Sequence, residues 1–113
     1  MANRRATSKK TTPVIIRVQK GKGKGKGDHL YDLEAIFPSI VGTNNPNTMT
    51  CYCALGQHSS CSSDYAGKYT RPANAEQKRR MLAELRRVGY TNLKVVSRPS
   101  SHHAAERRHQ IAR

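Results

Sequence analysis

The chain of 113 residues carries 21 Lys+Arg against 7 Asp+Glu, a formal net charge of +14. Only 35% of it is hydrophobic and 5% aromatic, with no Trp, so one small domain is expected and part of the chain is expected to lie outside it. Size excludes a barrel or doubly wound enzyme, and the lack of an apolar run of about 18 residues excludes a spanning helix and with it a membrane partner.

In chain order, residues 1–12 read as a disordered basic arm with Arg4, Arg5, Lys9 and Lys10. The arm lacks the apolar stretch of a secretory signal. Val14-Ile15-Ile16-Arg17-Val18 is a β-branched, alternating strand with Val14, Ile16 and Val18 on one face. Residues 20–27 alternate Lys and Gly, which predicts a mobile cationic loop because glycine has much backbone entropy to lose and the lysines repel. Tyr31, Leu33, Ala35 and Phe37 alternate with Asp32 and Glu34, a half-buried strand ended by Pro38. Residues 42–47, Gly-Thr-Asn-Asn-Pro-Asn, form a turn cluster. Met49, Cys51, Cys53 and Leu55 share the core face of a third strand stopped by Gly56, with Tyr52 projecting from the opposite face.

The helix signal is the strongest. Asn74 and Gln77 have capping-box spacing, Met81, Leu82, Leu85 and Val88 make an apolar stripe, and Gly89 fits the stop. Leu93-Lys94-Val95-Val96 reads as a last strand. Beyond Pro99 a basic tail follows, in which Ser100-Ser101 cap a short helix through His109 that has few apolar residues to anchor it. The fold class expected is α+β: a small antiparallel sheet, β-β-β-α-β, in a single domain over residues 13–98, with one amphipathic helix packed on one face.

Charge is uneven along the chain. Residues 1–27 hold nine basic residues and no acid, residues 28–70 hold Lys68 against four acids, and residues 71–113 hold eleven basic residues against Glu76, Glu84 and Glu106. An acidic centre thus lies between two basic flanks. At 100° per residue, Arg79, Arg80, Arg86 and Arg87 fall within an arc of roughly 120° opposite the Met81/Leu85 stripe, a face able to grip phosphates or to stand solvated. The Lys/Gly repeat fits neither phosphate-loop nor dinucleotide spacing, because Gly27 precedes Asp28 and no two-residue gap occurs. Lys20, Lys22, Lys24 and Lys26 are instead expected to lie loosely along a nucleic-acid backbone.

Other chemistries are weaker. Cys51, Cys53, His58 and Cys61 could be imagined closing a zinc tetrahedron, but a one-residue gap on a strand aims Cys51 and Cys53 at the core, so no metal and no cofactor are expected. The odd count of three cysteines argues against a secreted disulfide framework, which favours a cytoplasmic setting in a cell or an infected host. Cys61 with His58 offers a thiol and a base, yet nothing orients the base or supplies an oxyanion site, so no catalytic residues are assigned and an enzyme is not expected.

Ala35-Ile36-Phe37-Pro38, Gly56-Gln57-His58, Thr70-Arg71-Pro72-Ala73, the helix end Glu84-Leu85-Arg86-Arg87-Val88-Gly89-Tyr90 and the strand Leu93–Val96 follow one another in an order that resembles a group of small bacteriophage and mobile-element proteins with no established activity. The resemblance covers residues 35–98 and implies a compact domain in a phage or plasmid context, hence a bacterial host cytoplasm. Gln57 and His58 are its matched polar pair in a loop and a possible loop site. The function expected is non-enzymatic binding of nucleic acid, DNA or RNA, by Lys20, Lys22, Lys24 and Lys26, by Arg79, Arg80, Arg86 and Arg87, and by Arg107 and Arg108 of the tail. The alternative is a phage protein that binds a host protein to inhibit or recruit it.

Overall fold

β-Branched and aromatic residues concentrate in the first half of the chain, and the sheet forms around them. The computed structural model describes residues 11–19, 30–53 and 56–111. Strand β1 is Thr12–Gln19, followed after a 3-10 turn at Leu30–Asp32 by β2, Leu33–Phe37. Strands β3 (Thr48–Cys53) and β4 (Gln57–Ser62) make a hairpin, and a short helix α1 (Tyr65–Tyr69) leads into β5 (Thr70–Pro72). Helix α2 (Ala75–Arg87), strand β6 (Leu93–Val95) and helix α3 (Ser101–Ile111) complete the order.

The sheet runs β4-β3-β2-β1-β5, with β6 also on β1. β5 pairs antiparallel with the end of β1, at Arg17 to Gln19, and β6 pairs parallel with its start, at Thr12 to Val14. The α+β class holds; the pairing of β6 is the parallel exception within an otherwise antiparallel sheet.

Two successive cross-strand rows explain the layers. Ile16, Ala35, Tyr52 and His58 stand side by side on one face, and Ile15, Ile36, Cys51 and Ser59 on the other. The first face packs against Met81 and Leu85 of α2, both fully buried, and makes the larger core. Tyr52, expected on an outer face, is 1% exposed within that core. The second face holds a smaller cluster of Ile15, Ile36, Met49 and Cys51, with Cys61, Tyr65 and Val96 packed against it. All five residues of β2, including Glu34, are therefore buried, where alternation predicted a half-buried strand.

The connection over residues 38–47 folds back on the hairpin through Thr50, whose N–H donates to Ile40 O at 2.9 Å and whose hydroxyl donates to Val41 O at 2.9 Å. Gly42 sits where a Cβ would come within 2.5 Å of Met49 O and the Ser60 Cβ, so no larger residue fits unshifted. Helix α2 starts and stops as expected: Asn74 and Gln77 form the reciprocal capping box, and Gly89 takes a φ of 114°.

Helix α3 extends the tail helix to Ile111 and docks by polar contacts. Arg107 is 4% exposed and donates to Pro38 O and to Pro46 O, the latter at 2.8 Å. Gln110 receives Val41 N–H at 2.9 Å and donates to Ser39 O at 2.6 Å. The stretch expected to trail as a basic tail is thus folded onto the domain over much of its length.

Candidate nucleic-acid interface

Because the Met81/Leu85 stripe turns inward, the opposite side of α2 faces solvent. Arg79, Arg80 and Arg87 line an open depression of about 330 Å³ together with Leu30, Ala83 and Glu84. Seven or eight residues separate the two ends of this row, about 11–12 Å along a helix axis. Arg86 is exposed on the same helix but lies outside that depression. Of the four arginines expected to act together, three are brought to one surface.

Acids already orient two of the forks. Arg79 donates through Nε and Nη2 to the two carboxylate oxygens of Glu76, the first at 3.1 Å, and both residues are largely exposed. Arg87 donates to Glu84 at 2.9 and 2.8 Å. The exposed Arg79–Glu76 pair contributes at most about 1 kcal/mol, so a phosphate can take over the Arg79 guanidinium at little cost, whereas Arg87 is held by a carboxylate that is not exposed. Glu84 is the buried member, 8% exposed, and also accepts the Tyr52 hydroxyl at 2.6 Å. The Arg87 fork, and then that hydroxyl, hold its carboxyl below the ordinary carboxylate value. Burial first, and then the Glu84 bond, push the Tyr52 phenol up to about 12.

Gln57 and His58 stand exposed at the start of β4, in a strand rather than the expected loop. The His58 ring lies 4.9 Å from that of Tyr52, and its Nε2 shares a 2.7 Å hydrogen bond with Tyr90 OH. Tyr90 in turn stacks on Phe37 at 4.8 Å. His58 is accordingly tied into the aromatic side of the core, away from Cys61.

The remaining expected residues separate clearly. Arg107 is a correction: its guanidinium is spent on two backbone carbonyls and is not a surface contact. Arg108 is exposed on α3. Lys20, Lys22, Lys24 and Lys26 lie outside the described residues, between Gln19 and Leu30 in the chain; Leu30 lines the arginine depression.

The cysteines overturn one expectation. Cys51 and Cys61 are joined as a disulfide across the β3–β4 hairpin, leaving Cys53 free. Gly56 is the signal that could have found the pair, since a turn ending there starts a return strand in which Cys61, opposite Met49, lies diagonally across from Cys51. Cys53 shares the second face with Glu34 and Gln19: the Gln19 amide donates toward its sulfur at 3.8 Å, and Tyr65 OH donates to Glu34 at 2.8 Å. Burial, and then the Glu34 charge, raise the Cys53 thiol, which suppresses thiolate reactivity. Among the described residues no group of three or more His, Cys, Asp or Glu gathers to hold a metal. Among them also, no helix is long and apolar enough to cross a membrane.

No protein-family model, curated protein or solved structure matches the chain.

Proposed function

We propose that the protein binds nucleic acid through backbone phosphates and performs no catalysis, with Arg79, Arg80 and Arg87 of α2 as its structured contact. The observation that carries this reading is that those three arginines line one open, solvent-facing depression. Arg86 and Arg108 add exposed cations, and Leu30, four positions after Lys26 in the sequence, lines that same depression. The likeness to phage and mobile-element proteins supports a bacterial cytoplasm as the place of action. In that compartment the thiol pool would keep Cys51 and Cys61 reduced, as two neighbouring thiols in the hairpin.

A gel-shift titration across salt tests the reading. Each lost phosphate contact on duplex DNA flattens the dependence of log K on log salt by about 0.9, so replacing Arg79, Arg80 and Arg87 together by Ala is expected to flatten it by about 2.7. An unchanged slope removes these arginines from the interface. A pulldown from nuclease-treated host lysate that retains one stoichiometric protein would support the host-protein alternative instead.

A further inference from the structure

The sheet ends in two edges, and the chain treats them differently. Beyond β1 the edge consists of β5 and β6, three residues each. β5 is Thr70-Arg71-Pro72 and β6 is Leu93-Lys94-Val95. Shortness, a charged side chain, and a proline without an N–H are the devices by which natural sheets prevent further pairing. At the other end β4 runs for six residues and pairs every one of them with β3 on its inner side. It contains no proline, no lysine, no arginine and no acid, and five of its six residues are exposed. Among the described residues no strand lies beyond it.

We propose that β4 is a dimerisation edge, along which two copies of this chain pair antiparallel, β4 to β4, into one continuous sheet. Charge selects a second copy as the occupant. The chain carries +14 overall, yet β4 lies in the stretch 28–70, where acids outnumber bases, and the one cation of that stretch, Lys68, is paired with Asp64 at 3.1 Å. β4 itself carries no lysine or arginine, so two strongly cationic chains can pair along it without setting cations directly opposite one another. Ser59, Ser60 and Ser62 place small hydroxyls on both faces of the strand, suited to cross-strand Ser–Ser hydrogen bonds. Pairing an edge with itself is isologous and uses both copies' open edge at once; the blocked β5/β6 edge then stops growth at two. The two-fold axis of such a pair stands perpendicular to the sheet, so both α2 layers fall on the same side. The inference goes beyond the phosphate-binding reading and does not depend on it.

Sedimentation equilibrium of the full chain, freed of nucleic acid and held at about 0.5 M salt to screen its charge, tests the dimer apart from nucleic-acid binding. The unaltered protein and Ser59→Thr are expected at the two-chain mass. Ser59→Lys, which sets a cation on this exposed strand, is expected to raise the dissociation constant at least about tenfold. Hydrogen exchange supplies the check on folding: Ser59→Lys should lose protection at the β4 amides that point away from β3, while the inward β4 amides and those of α2 keep theirs. A one-chain mass for the unaltered protein at about millimolar concentration overturns the proposal. So does a two-chain mass that survives Ser59→Lys unchanged, or β4 protection that arises only when a different protein is added.

Discussion

Helix α2 buries Met81 and Leu85 completely against the sheet, whereas the one side chain α3 buries is a charged one, Arg107. α2 is held by apolar area and by a capping box that satisfies its first N–H groups. α3 is held by hydrogen bonds from Arg107 and Gln110 to the backbone of the connection between β2 and β3. The two modes respond to different insults. Apolar packing is shared by the whole core, so its loss spreads; a side-chain-to-carbonyl clamp is local, so its loss frees one element.

Leu85→Ala should separate them most forcefully. Truncating this fully buried side chain is expected to cost about 2–5 kcal/mol, lowering the denaturant midpoint and accelerating exchange across all strands and α2 together. Arg107→Met keeps most of the stem but abandons the carbonyls of Pro38 and Pro46, at about 1–3 kcal/mol. Its signature is selective: α3 amides exchange faster while those of α2 hold. Equal acceleration in both helices would show that α3 belongs to the global unfolding unit and erase the distinction.

The smallest effect concerns the carboxylates. Glu84 is lowered below its ordinary 4.5 by Arg87 and Tyr52, so the stability it contributes is present above 4.5 and is lost as pH falls through its folded value. Glu34 is raised by burial, against the opposing bonds from Tyr65 and Gln19. Its contribution has the reverse sign, present below 4.5 and lost as pH rises through its folded value. Glu84→Gln is therefore expected to flatten the fall of Tm on acidification between about pH 5 and pH 2, and Glu34→Gln to keep that fall and steepen its upper end. Matching acid limbs for Glu84→Gln and the unaltered protein would mean that the Arg87 fork does not hold Glu84 in solution.

The same contrast governs what could be read from residues alone. Helix α2 was legible because its periodicity, its cap residues and Gly89 all agree. The faces of β1 were legible from Val14, Ile16 and Val18. β4 was not, because Gln57-His58-Ser59-Ser60-Cys61-Ser62 has no hydrophobic alternation; it becomes a strand only because β3 and the turn at Gly56 supply a partner and a register. Tyr52 points outward only if one face of β3 is buried, whereas both faces are covered and the larger core lies on the tyrosine's side. α3 was seen as a short helix, but its attachment rests on acceptors 61 and 69 residues away, which no local pattern encodes. For the interface, the arginine arc was legible from helical geometry, while the diversion of Arg107 to the interior was not.

The position of β1 has a consequence for how the protein is made. This strand is near the start of the chain, yet its partners are β2, β5 and β6, the last of them reaching Thr12 from Leu93. A ribosome delivers β1 first and its parallel partner only when most of the chain has been synthesised. Until then only the Arg17–Gln19 end of that side has a neighbour, in β5, and the half-built sheet must wait with its most β-branched strand incompletely paired. Contacts between residues so distant in sequence also make for slow closure once the chain is released. Folding of this small domain is thus timed by its last third, and a chain stopped before residue 93 would carry the Thr12–Val14 half of β1 as an open edge.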